Sequence, residues 1–211
     1  VKADLTAVVA IVPVRDLESA KSRLGELLDA EERRALVTVM LDRTIRAIHE
    51  AGLEAIVVSP DESVLAIAAT GGAEPIHQPD DGLNEALELA LPAAIAGGAT
   101  AVLVLPVDLP AIDADAIRAL LANAHAALEP GRALVALVPD RHGSGTNALL
   151  VSPPGAIGFA FGIDSRHRHA DEARRAGAVV LELAGPLALD VDTGEDLALA
   201  EPLLSDPPHG G

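Results

Sequence analysis

Short, uninterrupted apolar runs alternate along this chain with longer stretches in which apolar residues recur at helical spacing. Ala7-Val-Val-Ala-Ile-Val-Pro13 is the first run, apolar on both faces and therefore suited to a central strand. Between Asp29 and Glu50 the positions Leu36, Val39, Met40, Ile45 and Ile48 follow helical spacing, and Asp29 with Glu32 forms a capping pattern. Further strands are expected at 54–59, 74–77, 100–105, 134–138, 147–151 and 178–182. Helices are expected at 61–70, from 82 to about 96, at 113–127, 165–176 and 194–203. Gly71-Gly72 stops the second helix, and Gln78-Pro-Asp-Asp-Gly82 makes a turn. Such alternation predicts an α/β fold, a mostly parallel sheet with helices on both faces. The stretch 134–190 breaks the alternation, so the sheet is expected to be mixed there. Residues 1–204 read as one domain, and 205–211 as a disordered tail.

Apolar residues make up 50% of the chain but aromatic ones only 1%, so the core must be packed from Val, Leu, Ile and Ala. Lys and Arg number 15 against 32 acids, a net charge of −17 that repels nucleic-acid backbones and anionic membranes. Neither is expected as a partner. Small phosphorylated substrates remain compatible, because a metal ion and a few local cations reverse the potential inside a cleft. The absence of cysteine excludes disulfides, thiolate nucleophiles and cysteine-bound metals. No leader is expected ahead of the first strand, and no apolar run reaches membrane-spanning length, so a cytoplasmic location is expected. The oligomeric state is left open.

Ligands of open α/β sheets bind beyond the carboxyl ends of the strands. Asp108 stands there, just past strand 100–105 and between Pro106 and Pro110. It is a candidate Mg²⁺ ligand, or else a cap for the next helix, a role Asp113 fills better. Asp190 and Asp192 flank Val191 before Thr193-Gly194. A turn at that point lets both face a metal shared with Asp108; the alternative is that Asp192 or Thr193 caps the last helix. In His142-Gly143-Ser144-Gly145-Thr146-Asn147, two glycines around a serine can expose consecutive amides to an anion, although a plain hairpin loop uses the same residues. Arg15, Lys21 and Arg23 follow Pro13 closely and can clamp nucleotide phosphates, or balance Glu18 and Glu26 on a helix surface. Gly162 and Ser165 precede a helix whose amino end can hold an anion. Ser165 is read as its cap, with His169 one turn along the same face. The chain has no phosphate-loop Gly-Lys-Ser/Thr, no His-Glu-x-x-His and no serine nucleophile elbow.

Taken in order, Ala20-Lys-Ser-Arg-Leu24, Gly82-Leu-Asn84, Pro106-Val-Asp-Leu-Pro110 and Asp140-Arg-His-Gly-Ser-Gly-Thr-Asn-Ala-Leu149 form a set. Phe161-Gly162 with Ser165 and His169, then Leu189-Asp-Val-Asp-Thr193, complete it. This set resembles the guanylyltransferases that make the phospholactyl or phosphoenolpyruvyl intermediate of the deazaflavin coenzyme F-420. Each element is short; their order and spacing, from residue 8 to about 200, make the set specific. Ser144 stands where threonine is common, and Gly194 replaces the usual proline.

The resemblance implies a Rossmann-like nucleotidyltransferase fold, GTP as donor and Mg²⁺, one ion or two, as cofactor. It implies that Asp108, Asp190 and Asp192 bind metal, and that Lys21, Arg15, Arg23 and Asp108 act in catalysis. His142, Gly143, Ser144, Gly145, Thr146, Asn147, Gly162, Ser165 and His169 would hold a small phosphorylated acid. Pro13, Arg15, Lys21, Leu83 and Asn84 would lie at the nucleotide. The acceptor expected is phosphoenolpyruvate, with 2-phospho-L-lactate as the alternative; the lean rests on an Ala-, Gly- and Pro-rich composition typical of GC-rich bacteria. A sugar-phosphate or molybdenum-cofactor nucleotidyltransferase commonly carries glycines after its first strand, whereas Val12-Pro-Val-Arg15 has none. A non-catalytic nucleotide-binding domain is the remaining alternative.

Overall fold

The computed structural model describes residues 2–15, 27–79, 82–191 and 193–205. Along the chain they form β1 (Val8–Pro13), α1 (Ala30–Glu50), β2 (Glu54–Ser59), α2 (Glu62–Thr70), β3 (Glu74–His77) and α3 (Leu83–Ala96). Then come β4 (Ala101–Val104), α4 (Ala114–Ala126), β5 (Leu134–Pro139), β6 (Thr146–Ser152), α5 (Ser165–Arg175), β7 (Val179–Glu182) and α6 (Gly194–Ser205). The seven strands make one sheet in the order β3-β2-β1-β4-β6-β5-β7. Every described pairing is parallel except those of β6, which runs antiparallel between β4 and β5. The sheet is thus mixed within the stretch where alternation fails in the sequence. Because β6 runs backwards, its first residues, Thr146 and Asn147, lie at the same edge as the carboxyl ends of β4 and β5.

Side chains alternate across the sheet with the strand period of two. Ala10 and Val12, Val57, Leu103, Ala136 and Val138, and Ala148 and Leu150 pack on one face against Leu41 and Ile45 of α1, Val64 of α2 and Ile117 of α4. Ile11, Val58, Val102, Val104, Leu137 and Leu149 pack on the other against Leu87 and Ala90 of α3 and Ala170 and Ala173 of α5. Both faces are covered, which explains why the strands read as continuous apolar runs. Alanine on the helices lets them lie close to a sheet of branched side chains and makes aromatic filler unnecessary. A smaller cluster, Met40 with Val191 and Ala200, seats α6 against α1.

The helix starts follow the local chemistry. Asp29 caps α1 in a capping box with Glu32, Asp61 caps α2 and Asp113 caps α4. At α6, the Thr193 hydroxyl donates to Asp196 (2.7 Å) and the Asp196 N–H donates back to that oxygen (3.3 Å). α5 differs from expectation. Its cap is Asp164, in the left-handed region at φ 56° with no side-chain capping bond, and Ser165 is the first helical residue. The last helix also runs to Ser205, two residues past its expected end. Among the described residues no helix is long and apolar enough to cross a membrane.

Candidate active site at the carboxyl edge of the sheet

The ends of β1, β4 and β5 and the start of β6 converge on one edge, and the loops there carry the candidate residues. Beyond β4 the chain passes through Pro106 and Val107 to Asp108. The Asp108 carbonyl accepts a hydrogen bond from Val191 N–H (3.0 Å). That bond sets Asp108 beside the segment carrying Asp190, more than eighty residues away in the chain. Asn147 secures the segment from the β6 side: its Nδ2 donates to the Leu187 carbonyl (3.1 Å) and, at 3.4 Å, to Asp190 Oδ1. The chain ahead of Asp190 takes a single 3-10 turn, Pro186–Ala188, rather than a strand. Asp108 and Asp190 are both half-buried. Two carboxylates with no soft ligand are the kind of donor that could hold a hard cation such as Mg²⁺. Asp192 lies outside the described residues, and among those described no group of three acidic or histidine side chains forms a metal cluster.

The loop between β5 and β6 differs from the expected anion cradle. Asp140 gathers the amides itself: its carbonyl accepts from Gly143 N–H (3.0 Å), and its Oδ1 accepts from Ser144 N–H (2.8 Å). Gly143 and Ser144 amides are therefore held inside the loop, with a carboxylate of the chain in the place foreseen for a ligand. Both glycines are required. Gly143 sits at φ 75°, and a Cβ on Gly145 would come within 2.7 Å of the Asp140 carboxylate. His142 and Ser144 remain exposed.

Arg166 fixes this loop to α5. Its N–H donates to the Ser144 carbonyl (3.1 Å) and its Nη1 to the Gly143 carbonyl (2.9 Å), while Nε and Nη2 reach Glu182 of β7 (2.9 and 2.7 Å). Arg141 crosses to Asp196 of α6 at 2.6 Å. The loop is thereby tied to the helix that begins just after the aspartate segment. Asp140 and Arg141 enter the sequence reading only as members of a motif, without a role, and Arg166 and Asp196 are not singled out, because charged loop and helix residues look like solvated surface. The one local signal is Asp140 placed four residues before Ser144, a spacing for an aspartate that folds its own turn.

Ser165 and His169 are buried, at 1% and 0% exposure. The Ala160 N–H donates to His169 Nε2 (2.9 Å), and Nδ1 lies 3.1 Å from the Thr146 hydroxyl. The ring also meets Phe161 edge-on, with centroids 4.9 Å apart. Burial first, and then the neighbouring Arg168, pull its pKa down to about 4. His169 is therefore neutral at neutral pH, and its full burial separates it from a ligand. Asn84 at the start of α3 clamps Phe161, accepting from its N–H (2.8 Å) and donating to its carbonyl (3.2 Å). Gly162 follows at φ 111°. The Asn84 side chain thus positions the Phe161-Gly162 backbone, and Leu83 packs against the second core cluster.

Pro13 ends β1 and is buried, with Arg15 exposed two residues on. Lys21 and Arg23 lie outside the described residues. A groove of about 430 Å³ opens at the opposite, amino-terminal edge, among Thr6, Val8, Leu53, Leu121 and His125, and contains none of the candidate residues.

A family model described as "Guanylyl transferase CofC like" matches residues 8–204. The chain is 46% identical over 192 residues to the phosphoenolpyruvate guanylyltransferase of Sphaerobacter thermophilus, covering 90% of each chain. It is 44% identical over 198 residues to that of Rubrobacter xylanophilus, covering 92% of this chain and 94% of the relative. Among solved structures, CMP:2-keto-3-deoxy-manno-octonic acid synthetase in complex with CTP shares the fold, with a TM-score of 0.60 at 16% identity over 95% of this chain and 99% of the other.

Proposed function

This chain belongs to the CofC-like guanylyl transferase family, and from that premise we propose that it moves GMP from GTP to phosphoenolpyruvate in the making of coenzyme F-420. Phosphoenolpyruvate is the acceptor named for the relatives at 46% and 44% identity. The observation that carries the reading is the hydrogen bond between Asp108 and Val191. It brings two distant acidic segments together beside Thr146 and Asn147, at the edge where open α/β sheets bind ligands.

In the reaction, an oxygen of the acceptor phosphate attacks the α-phosphorus of GTP, the bond to the β-phosphate oxygen breaks, and pyrophosphate leaves. A strong general base is unnecessary, because a phosphate monoester has a second pKa near ~6 and is largely dianionic at neutral pH. The protein's task is to hold two mutually repelling anions in line. Thr146 and Gly162 border the acceptor, with the rest of loop 142–147 beside them, and Ser165, buried at the start of α5, backs that wall. Pro13, Arg15, Leu83 and Asn84 border the nucleotide, and Lys21 and Arg23 contribute charge at its phosphates. Asp108, Asp190 and Asp192 would hold Mg²⁺, which when bound supplies Lewis-acid stabilisation of the phosphate charge.

The test is to supply GTP and Mg²⁺ with phosphoenolpyruvate or 2-phospho-L-lactate in parallel and in competition. Pyrophosphate release is expected with phosphoenolpyruvate, preferred in the mixture. Preference for 2-phospho-L-lactate would overturn the acceptor, and release with neither would overturn the function.

A further inference from the structure

His169 is fully buried, so it does not meet a substrate; its two ring nitrogens nevertheless have different partners. The Ala160 amide can only donate, so Nε2, at 2.9 Å, must be the accepting nitrogen. A neutral imidazole then carries its single proton on Nδ1, which faces the Thr146 hydroxyl at 3.1 Å. Thr146 Oγ1 accepts that proton, and its own hydrogen is left to point elsewhere. Among the described residues it meets no protein acceptor. Thr146 is the first residue of β6, at the edge where Asp108 meets the segment carrying Asp190.

We propose that His169 is a positioning residue that fixes the Thr146 hydroxyl as a hydrogen-bond donor aimed at an oxyanion of the acceptor. The proposal rests on the reading that Thr146 touches the acceptor, and deepens it by setting the direction of the bond. A hydroxyl left to rotate can face a ligand with its lone pairs or its hydrogen. One that already accepts from Nδ1–H is biased toward donation, so the site favours a deprotonated phosphate or carboxylate oxygen. The chain of donors runs from the Ala160 amide to Nε2, then from Nδ1–H to Oγ1, then from the Thr146 hydroxyl to the acceptor. Phe161 packs edge-on against the same ring.

Two substitutions separate the halves of this chain. His169→Gln places an acceptor near Nε2 and removes the donor to Thr146, whereas His169→Asn places an amide donor near Nδ1 and leaves the Ala160 amide unmet. His169→Gln is expected to raise the acceptor KM about tenfold or more, the scale of a lost hydrogen bond to a charged oxygen, with the GTP KM within about twofold. His169→Asn should recover most of the acceptor KM despite a lower melting temperature. Adding His169→Gln to Thr146→Val should worsen the acceptor KM by less than about twofold, because the relay is already cut. Equal damage by Gln and Asn, or additive damage in the double variant, would show a structural role only and overturn the proposal.

A second readout needs no turnover. Nitrogen-15 shifts of the imidazole in the substrate-free wild-type protein, assigned by their loss in His169→Gln, should show Nδ1 protonated and Nε2 bare at neutral pH. The opposite tautomer or an imidazolium overturns the proposal. Wild-type protein inactive with every acceptor would defeat the functional reading instead, leaving the ring shifts to decide whether His169 donates to Thr146.

Discussion

Acidification should weaken this fold through His169 in a way that can be isolated. The ring is fully buried and accepts from the Ala160 amide at Nε2. A proton placed on Nε2 would set two N–H groups against each other, and the neighbouring Arg168 adds repulsion. Burial, and after it Arg168, lower the folded-state pKa from 6.5 to about 4. Between those values the unfolded chain binds a proton that the folded protein refuses. Stability from this residue is therefore complete above pH 6.5 and is lost as pH falls toward 4. At about 1.4 kcal/mol per pH unit, the loss amounts to about 3 kcal/mol, a large share of the stability of an ordinary domain.

The chain has no Trp or Tyr, so urea unfolding is best followed by far-ultraviolet circular dichroism. The comparison is between the wild type and His169→Gln, whose side chain does not titrate. Other ionisable groups affect both proteins alike and cancel in the difference. The stability gap in favour of the wild type should shrink by about 3 kcal/mol between neutral pH and pH 4, with a slope concentrated below pH 6.5. A gap that stays constant across the range would refute the reasoning and mean that His169 takes up its proton as readily in the folded protein as in the unfolded chain.

Asp108→Asn should lower turnover by about 100-fold or more while leaving the circular dichroism spectrum and melting temperature near wild type; activity close to normal would remove Asp108 from the metal site. Asn84→Ala removes both bonds to the Phe161 backbone and should cost about 2 kcal/mol in urea unfolding. Its acceptor KM should rise as well, because Gly162 and Ser165 follow directly. Arg141→Gln breaks the contact with Asp196, whose residue is 3% exposed, and should cost about 1–3 kcal/mol by thermal melting. It should also raise the Mg²⁺ concentration needed for half-maximal rate, since the pair joins the β5–β6 loop to the helix after the aspartates.

Much of the architecture can be read from short-range patterns because short-range chemistry determines it. Continuous apolar runs become strands covered on both faces, and aspartates at the starts of apolar-periodic stretches become the caps of α1, α2 and α4. Asp108 sits past a strand end at the edge where an open sheet binds ligands, whereas the Asp190 segment reaches it through a turn that no strand pattern announces. What the sequence conceals is the partner of each polar group across long separations. The Gly143 and Ser144 amides look available to an anion until Asp140 is seen to hold them. Ser165 has the chemistry of a cap, yet the chain bends through a left-handed Asp164 and makes Ser165 the first buried residue of α5. His169 sits on the expected helix face, but its burial and its bonds to Ala160 and Thr146 depend on how α5 packs on the sheet at β5 and β7, which no local spacing encodes.

The transfer itself is tested most directly with GTP labelled at the α-phosphorus. With Mg²⁺ and phosphoenolpyruvate present, the label should pass into a diphosphate-linked guanylyl product, in step with pyrophosphate release and consumption of the acceptor. Label recovered only as GDP or free GMP, or pyrophosphate formed at the same rate without an acceptor, would contradict a guanylyl transfer built on this edge of the sheet.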